Sequence, residues 1–308
     1  MARGTIVIGA RGSALSLCQT RIVQVRLEER FPDHRVEVKT IRSSADERPE
    51  ASLATIGGEG VFVTELETAL LNGTIDLAVH SLKDLPLKTP PGLALAAVTE
   101  REDPRDVLVS RSGSSFEQLP AGSRLGTSSL RRSSQLRLRR RDVECVEIRG
   151  NVDTRLRKLQ EGRYDAVVLA AAGLLRLGLE DRITEYLGLD LMLPEPGQGA
   201  LGLETRADDR AARALAEALH DRESAACVTA ERAFLRALGG GCRVPIAALG
   251  QLDRGRLTLD GAVMAADGSK QLRDRAEGSI DNPDALGESL AQRLIARGAS
   301  DLLAGRNI

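Results

Sequence analysis

One thiol, one acid and a group of arginines follow stretches that bend the chain, and these are the groups able to do chemistry. Gly239-Gly240-Gly241-Cys242-Arg243-Val244-Pro245-Ile246 sets a sulfur directly after three glycines and beside a cation. Glycine tolerates positive φ, so the run reads as a tight, open loop, and Arg243 favours the thiolate, the reactive form of cysteine. A glycine-closed helix end with a passive thiol fits the local sequence equally well. The other three cysteines have packing explanations: Cys18 lies on the stripe Leu15, Cys18, Ile22, Val25, Cys227 lies on the stripe Cys227, Ala230, Phe234, Leu238, and Cys145 falls in a short strand. Asp84 follows Lys83 in a loop closed by Pro86. An acid there is either a counter-ion for nearby arginines or a group placed to stabilise a developing cation, and spacing leaves both readings open.

The arginines recur in one construction: a strand end, a turn of glycine or small hydroxyl residues, and a helix start. It occurs at Arg11-Gly12-Ser13, at Gly126-Thr127-Ser128-Ser129-Leu130-Arg131-Arg132, and at Arg149-Gly150-Asn151 through Arg155. A helix N-terminus offers unpaired N–H groups and partial positive charge, and arginine adds donors that match a carboxylate or phosphate. Between Arg124 and Lys158 there are 11 basic residues against 4 acidic ones. Arg137 to Arg141 read as an exposed helix face, whereas Arg131, Arg132, Arg149 and Arg155 adjoin capping turns and read as ligands for a polyanion in a cleft.

Positioning these groups requires alternating strands and helices. Thr5 to Gly9 reads as a strand, Ser13 as the N-cap of a helix running to about Arg30, Arg35 to Ile41 as a second strand, Val61 to Leu71 as a helix, and Ile75 to His80 as a strand. Arg42 to Gly60 has no clear period and reads as a mobile loop. The rhythm predicts a parallel α/β sheet with ligands beyond the carboxyl ends of its strands, which places Arg11, Ser13, Lys83 and Asp84 on one rim. Glu100 to Asp106 reads as a crossing between domains, after which Arg124 to Gly126, Val143 to Ile148 and Ala166 to Ala170 are strands. Leu193 to Gly199 is a second crossing. A third unit holds a helix over Ser224 to Leu238, strands around Ala247 to Leu252 and Arg256 to Met264, and a closing helix with Asn282 as N-cap and Pro283 at its first position.

The 308 residues suffice for about two or three domains. Net charge is -1, so no global field draws the chain to nucleic acid, and an aromatic content of 2% offers few stacking platforms. The 4 cysteines and 3 histidines make no metal-ligand spacing. No apolar run has membrane-spanning length, no signal peptide is evident, and reduced thiols point to the cytoplasm.

In order along the chain, Arg11-Gly12-Ser13, Gly57-Gly58-Glu59-Gly60-Val61-Phe62, His80-Ser81-Leu82-Lys83-Asp84-Leu85-Pro86, Gly126 through Arg132, Arg149-Gly150-Asn151-Val152-Asp153-Thr154-Arg155 and Gly240-Gly241-Cys242 closely resemble the porphobilinogen deaminase (hydroxymethylbilane synthase) family, over nearly the whole sequence. The resemblance implies an α/β fold of two periplasmic-binding-protein-like domains plus a smaller α+β C-terminal domain, divided here as residues 1–99 with 200–220, 100–199, and 221–308. It implies stepwise deaminative condensation of four porphobilinogen molecules, in tetrapyrrole and heme biosynthesis, on a dipyrromethane cofactor joined through a thioether to Cys242, followed by hydrolytic release of hydroxymethylbilane. Asp84 matches the catalytic aspartate that stabilises the azafulvenium cation. Lys83, Ser81, Thr127, Ser128, Ser129, Arg131, Arg132 and Gly150 would hold the cofactor. Arg11, Ser13, Arg149 and Arg155 would hold substrate or the growing chain, Arg11, Arg149 and Arg155 would also serve catalysis, and Phe62 would stack near a pyrrole. A cytoplasmic monomer acting on a small molecule, with no nucleic acid, membrane or metal, is the expectation. The sequence departs from the family pattern at Glu59, where lysine is usual, at Ser43-Ser44-Ala45-Asp46, and at Cys18, where tryptophan is frequent. The rival reading is a non-catalytic protein that binds an organic anion, which would need neither the Cys242 loop nor an acid at 84.

Overall fold

A computed structural model of the protein describes residues 4–41, 63–240 and 244–305. The chain divides into two compact units, Met1–Arg101 with Ala200–Ala225, and Glu102–Gly199 with Ala226–Ile308.

The first unit is built on β1 (Thr5–Arg11), α1 (Ala14–Arg30), β2 (Arg35–Ile41), α2 (Thr64–Leu71), β3 (Leu77–Ser81) and β4 (Leu93–Val98). In the second unit the chain runs through β5 (Asp106–Ser110), β6 (Arg124–Gly126), α3 (Leu130–Arg139), β7 (Glu144–Val146), α4 (Val152–Gln160), β8 (Ala166–Ala170), α5 (Ala171–Arg176) and β9 (Glu185–Tyr186). It then returns to the first unit as β10 (Leu201–Arg206) and α6 (Arg210–Glu217). Helix α7 (Arg222–Ala237) leads to β11 (Ile246–Asp253), β12 (Arg256–Met264), β13 (Gln271–Ser279), α8 (Pro283–Ala296) and α9 (Ala299–Ala304).

Two five-stranded sheets share one plan, β2-β1-β3-β10-β4 and β7-β6-β8-β5-β9, and β11-β12-β13 form a three-stranded sheet. In the first two sheets the pairs that flank crossover helices are parallel, β1 with β2 and β3, and β6 with β7 and β8. The expectation of a parallel sheet holds for these pairs and is corrected for two strands. Strand β10 runs antiparallel to β3 and β4, and β5 runs antiparallel to β8 and β9. These two strands are entered from the connections between the units. No crossover helix precedes them, so nothing imposes the parallel direction. Periodicity also passes over β13, because Gln271-Leu272-Arg273-Asp274-Arg275 carries the charges of an exposed edge strand, and only Ala276 on it is buried.

Apolar faces close both sides of each large sheet. Ile8, Val23, Leu27, Val79, Leu203 and Leu215 pack on one face of the first, with Leu66, Leu70 and Ile75 in a separate cluster. Val167, Leu169 and Leu174 pack on one face of the second, while Phe116, Leu125, Leu136 and Val168 form another cluster. The three-stranded sheet packs Leu257, Leu259 and Val263 against Phe234 of α7 and Leu290 of α8. Asn282 is the N-cap of α8 and Pro283 its first residue, but the Asn282 side chain makes no capping hydrogen bond.

Candidate active site

In the first unit the chemistry-bearing residues gather at the carboxyl ends of β1 and β3. Gly9 pairs with Ala78, so Arg11 and the turn after Ser81 emerge at the same edge. That turn, Leu82–Asp84, is a single 3₁₀ turn anchored by two buried leucines, Leu82 and Leu85. The Leu82 N–H donates to the Ala200 carbonyl at 3.0 Å, and a Cβ on Gly202 would stand 2.8 Å from Leu82 Cδ1, so the floor beneath the turn is tight. With both leucines held inward, Lys83 is half-buried and Asp84 is exposed. Gln19, buried on α1, donates to Ser81 Oγ at 2.9 Å and ties the end of β3 to the first helix. Ser13 caps α1 by accepting the Ser16 N–H at 3.3 Å, and Ser16 Oγ accepts the Arg11 N–H at 3.0 Å. Local capping thus fixes the backbone around Arg11.

In the second unit β6 opens into Thr127-Ser128-Ser129. Ser129 is the N-cap of α3 and accepts the Arg132 N–H at 3.4 Å. Thr127 is buried, its Oγ1 accepts the Ser129 N–H at 3.2 Å, and its own N–H donates to the Val146 carbonyl at 2.9 Å. Ser128 Oγ donates to the Ile148 carbonyl at 2.6 Å and accepts the Ile148 N–H at 3.2 Å. Its hydroxyl is thereby committed to stitching the turn to the segment after β7.

Arg131 and Arg132 are turned inward, 2% and 6% exposed, around the fully buried Asp106. Burial drives the Asp106 carboxyl upward, but the guanidinium groups of Arg131 and Arg132 outweigh it and hold the group far below the ordinary carboxylate range. Residue order alone places Asp106 at the end of a crossing segment and does not show this role. The available signal is an acid at the threshold of the apolar run Val107-Leu108-Val109. Gln198 and Gln135 are equally silent in the sequence. Gln198 donates to Asp106 Oδ1 at 3.0 Å, and Gln135 clamps Leu193 by accepting its N–H at 2.9 Å and donating to its carbonyl at 3.1 Å.

Two arginines and one aspartate leave the cluster a net positive charge. Nε and Nη2 of Arg131 are buried and have no acceptor among the described residues. Buried donors are normally satisfied, and leaving one unpaired costs about 1–3 kcal/mol. An anionic ligand with a planar carboxylate is the group these donors fit, and the dipyrromethane cofactor implied by the sequence motifs carries such groups.

The turn Arg149-Gly150-Asn151 is cross-tied from α4. Arg155 Nε donates to the Gly150 carbonyl at 2.7 Å and Lys158 Nζ donates to the Arg149 carbonyl at 3.1 Å. Arg149 itself pairs with Glu147. Gly150 has φ of +108°, and a Cβ there would lie 2.5 Å from Thr154 Cγ2. Gly150→Ala is therefore expected to destabilise the protein by about 1–3 kcal/mol, read as a lowered melting temperature. An unchanged melting temperature would show that the turn relaxes freely.

Phe62, Cys242 and Glu59 lie outside the described residues, as does the reading of 42–60 as a mobile loop. The flanks of Cys242 are described. Gly239 takes φ of +66° after α7, and the Gly240 N–H returns to the Leu235 carbonyl at 3.0 Å, a glycine-closed helix end. Beyond the loop, Ile246 opens β11. Cys227 is buried beside Phe234 in the core of the three-stranded sheet. Burial raises the pKa of Cys145, which disfavours its thiolate.

Residues 6–214 match the family model "Porphobilinogen deaminase, dipyromethane cofactor binding domain", and residues 225–296 match "Porphobilinogen deaminase, C-terminal domain". The porphobilinogen deaminase of Geobacter sulfurreducens is 48% identical over 99% of this chain and 95% of its own length. That of Syntrophotalea carbinolica is 48% identical over 100% and 98%, and that of Desulforudis audaxviator 49% identical over 98% of each. Similarity of this depth runs through the cofactor-binding and C-terminal portions alike, and the chain belongs to the porphobilinogen deaminase family.

Proposed function

We propose that the protein is a hydroxymethylbilane synthase. It joins four porphobilinogen molecules in sequence, each losing ammonia, and releases the linear tetrapyrrole by hydrolysis. The near-half identity along the entire chain carries this reading. When bound through Cys242, the dipyrromethane supplies a free pyrrole α-carbon to which the first substrate unit is added. In each addition the aminomethyl C–N bond breaks, ammonia leaves, a C–C bond forms, and the α-proton is lost. Asp84 stabilises the cation left on the substrate ring when ammonia departs. Lys83, Arg131 and Arg132 meet the cofactor's carboxylates, with Ser81, Thr127, Ser128, Ser129 and Gly150 shaping the turns around them. Arg11, Ser13, Arg149 and Arg155 hold the acetate and propionate groups of incoming units, and Phe62 lies against a pyrrole ring.

The chain acts as a cytoplasmic monomer of three domains, 1–99 with 200–220, 100–199 and 221–308. Among the described residues no helix is long and apolar enough to cross a membrane.

Intact mass tests the reading. The wild-type protein is expected to exceed its sequence mass by two deaminated substrate units. Cys242→Ser loses the excess and the activity, whereas Cys18→Ser and Cys227→Ser keep both. A wild-type mass equal to the bare chain after incubation with porphobilinogen favours a non-catalytic anion-binding protein instead.

A further inference from the structure

Asp106 takes no part in the chemistry above, yet it grips both arginines. Its Oδ2 accepts Arg131 Nη1 at 2.7 Å, and its Oδ1 accepts Arg132 Nε and Nη2 at 3.0 and 2.8 Å. Gln198 steadies the carboxylate through Oδ1 and is itself tied to the Pro104 carbonyl at 2.8 Å. Arg131 Nη1 also donates to the Leu193 carbonyl at 2.9 Å. One corner of the Arg131 guanidinium is thus clamped, with Met192 Sδ as a third acceptor at 3.5 Å, while the opposite edge, Nε with Nη2, is buried and has no acceptor among the described residues. That edge presents two parallel N–H groups, the arrangement that receives a carboxylate in bidentate fashion. Arg132 differs, since each of its three nitrogens already donates, Nη1 to the Val168 carbonyl at 3.0 Å.

The charge balance points the same way. With no acid in the cluster, two buried guanidinium groups would repel each other and neither would be held at a fixed orientation. With a second acid the cluster would be neutral and would have nothing to offer an anion. One carboxylate between two arginines orients them and leaves one positive charge.

We propose that Asp106 is a positioning residue for cofactor capture: it fixes Arg131 so that the Nε–Nη2 edge takes one carboxylate of the dipyrromethane, and it leaves the cluster the single charge that this carboxylate matches. The inference rests on the cofactor reading above. Gln198 acts one step further out by holding Asp106.

The test follows covalent loading of apoprotein by intact mass, at a series of porphobilinogen concentrations, with melting temperature measured on the same samples. Asp106→Asn keeps the shape and removes the charge. It is expected to slow loading by at least about tenfold, the size of one charge-assisted hydrogen bond. The loss should fall on the porphobilinogen concentration needed for loading, and turnover by molecules already loaded should be largely retained. Asp106→Glu should recover part of the loading. Folded Asp106→Asn that loads at the wild-type rate and concentration overturns the proposal and makes Asp106 a counter-ion for the fold. Should Asp106→Asn fail to fold, Asp106→Glu carries the test, because it keeps the net charge and both arginines but displaces the tether by one methylene. Slower loading than wild type by folded Asp106→Glu supports the proposal, and loading at the wild-type rate and concentration overturns it. If wild-type protein gains no mass, the cofactor reading has failed rather than the role of Asp106.

Discussion

Asp84→Asn is expected to lower turnover by about a hundredfold to a thousandfold, the cost of removing one placed electrostatic group from a reacting centre, while the covalent cofactor remains attached and KM changes much less. Loss of ammonia from porphobilinogen leaves a cation whose charge spreads onto the pyrrole nitrogen. Arginines holding the substrate's carboxylates would oppose that charge, so a single carboxylate near the ring N–H would have a large effect. The 3₁₀ turn suits Asp84 to this role, because Leu82 and Leu85 pin it from below, its Leu82 N–H is bound to Ala200, and Gly202 leaves no slack beneath it. The exposed side chain is thus held on a rigid backbone. Asparagine preserves shape and hydrogen bonding but carries no charge, whereas Asp84→Glu moves the charge by one methylene and should fall between the two. Initial rates of ammonia release, with cofactor content checked by mass on the same samples, decide the matter. Near-normal turnover by Asp84→Asn would reduce Asp84 to a counter-ion.

Arg131→Leu and Arg132→Leu are expected to prevent cofactor assembly, so that both variants are isolated as bare chains without activity. Each charge-assisted hydrogen bond lost costs about 1.5–3 kcal/mol, and a cofactor carboxylate would be left in a buried site without its partner. Both variants also strip Asp106 of one of its two guanidinium partners. Breaking a buried pair costs about 3–5 kcal/mol, so their melting temperatures should fall as well. Because the Asp106 pKa is lowered in the folded protein, its contribution to stability is complete above the ordinary aspartate value and is lost only as pH falls toward the depressed one. Loading of the wild-type protein should therefore owe none of its pH dependence near neutrality to Asp106. Arg149→Leu and Arg155→Leu are expected instead to carry the cofactor and to slow or stall elongation. Arg155→Leu also removes the bond to the Gly150 carbonyl and so should melt lower than Arg149→Leu. If all four variants carried cofactor and turned over normally, the arginines would have no ligand role.

Local devices are legible from residue order because their partners lie within one turn. Ser13 and Ser129 cap the helices they are expected to cap, since a hydroxyl before a helix satisfies an N–H three residues on. The same holds for Pro283 at the start of α8 and for the glycine-closed end of α7. Strand direction is not legible for β5 and β10. Their apolar runs state burial but not orientation, and orientation follows from where the connection enters the sheet.

The limit is clearest at the arginines. By itself the sequence determined that Arg131 and Arg132 adjoin a capping turn, that Asp84 lies in a strand-end loop, and that the ordered motifs are those of one family. Only the tertiary structure decided which way the two arginines face and what lies between them. Asp106 is 25 residues from Arg131 and Gln198 is 92 from Asp106. β5 enters its sheet beside β8, and Arg132 reaches both the Asp106 carboxylate at the start of β5 and the Val168 carbonyl on β8. No periodicity in the sequence records a partnership over such separations, because burial and register set it rather than local propensity.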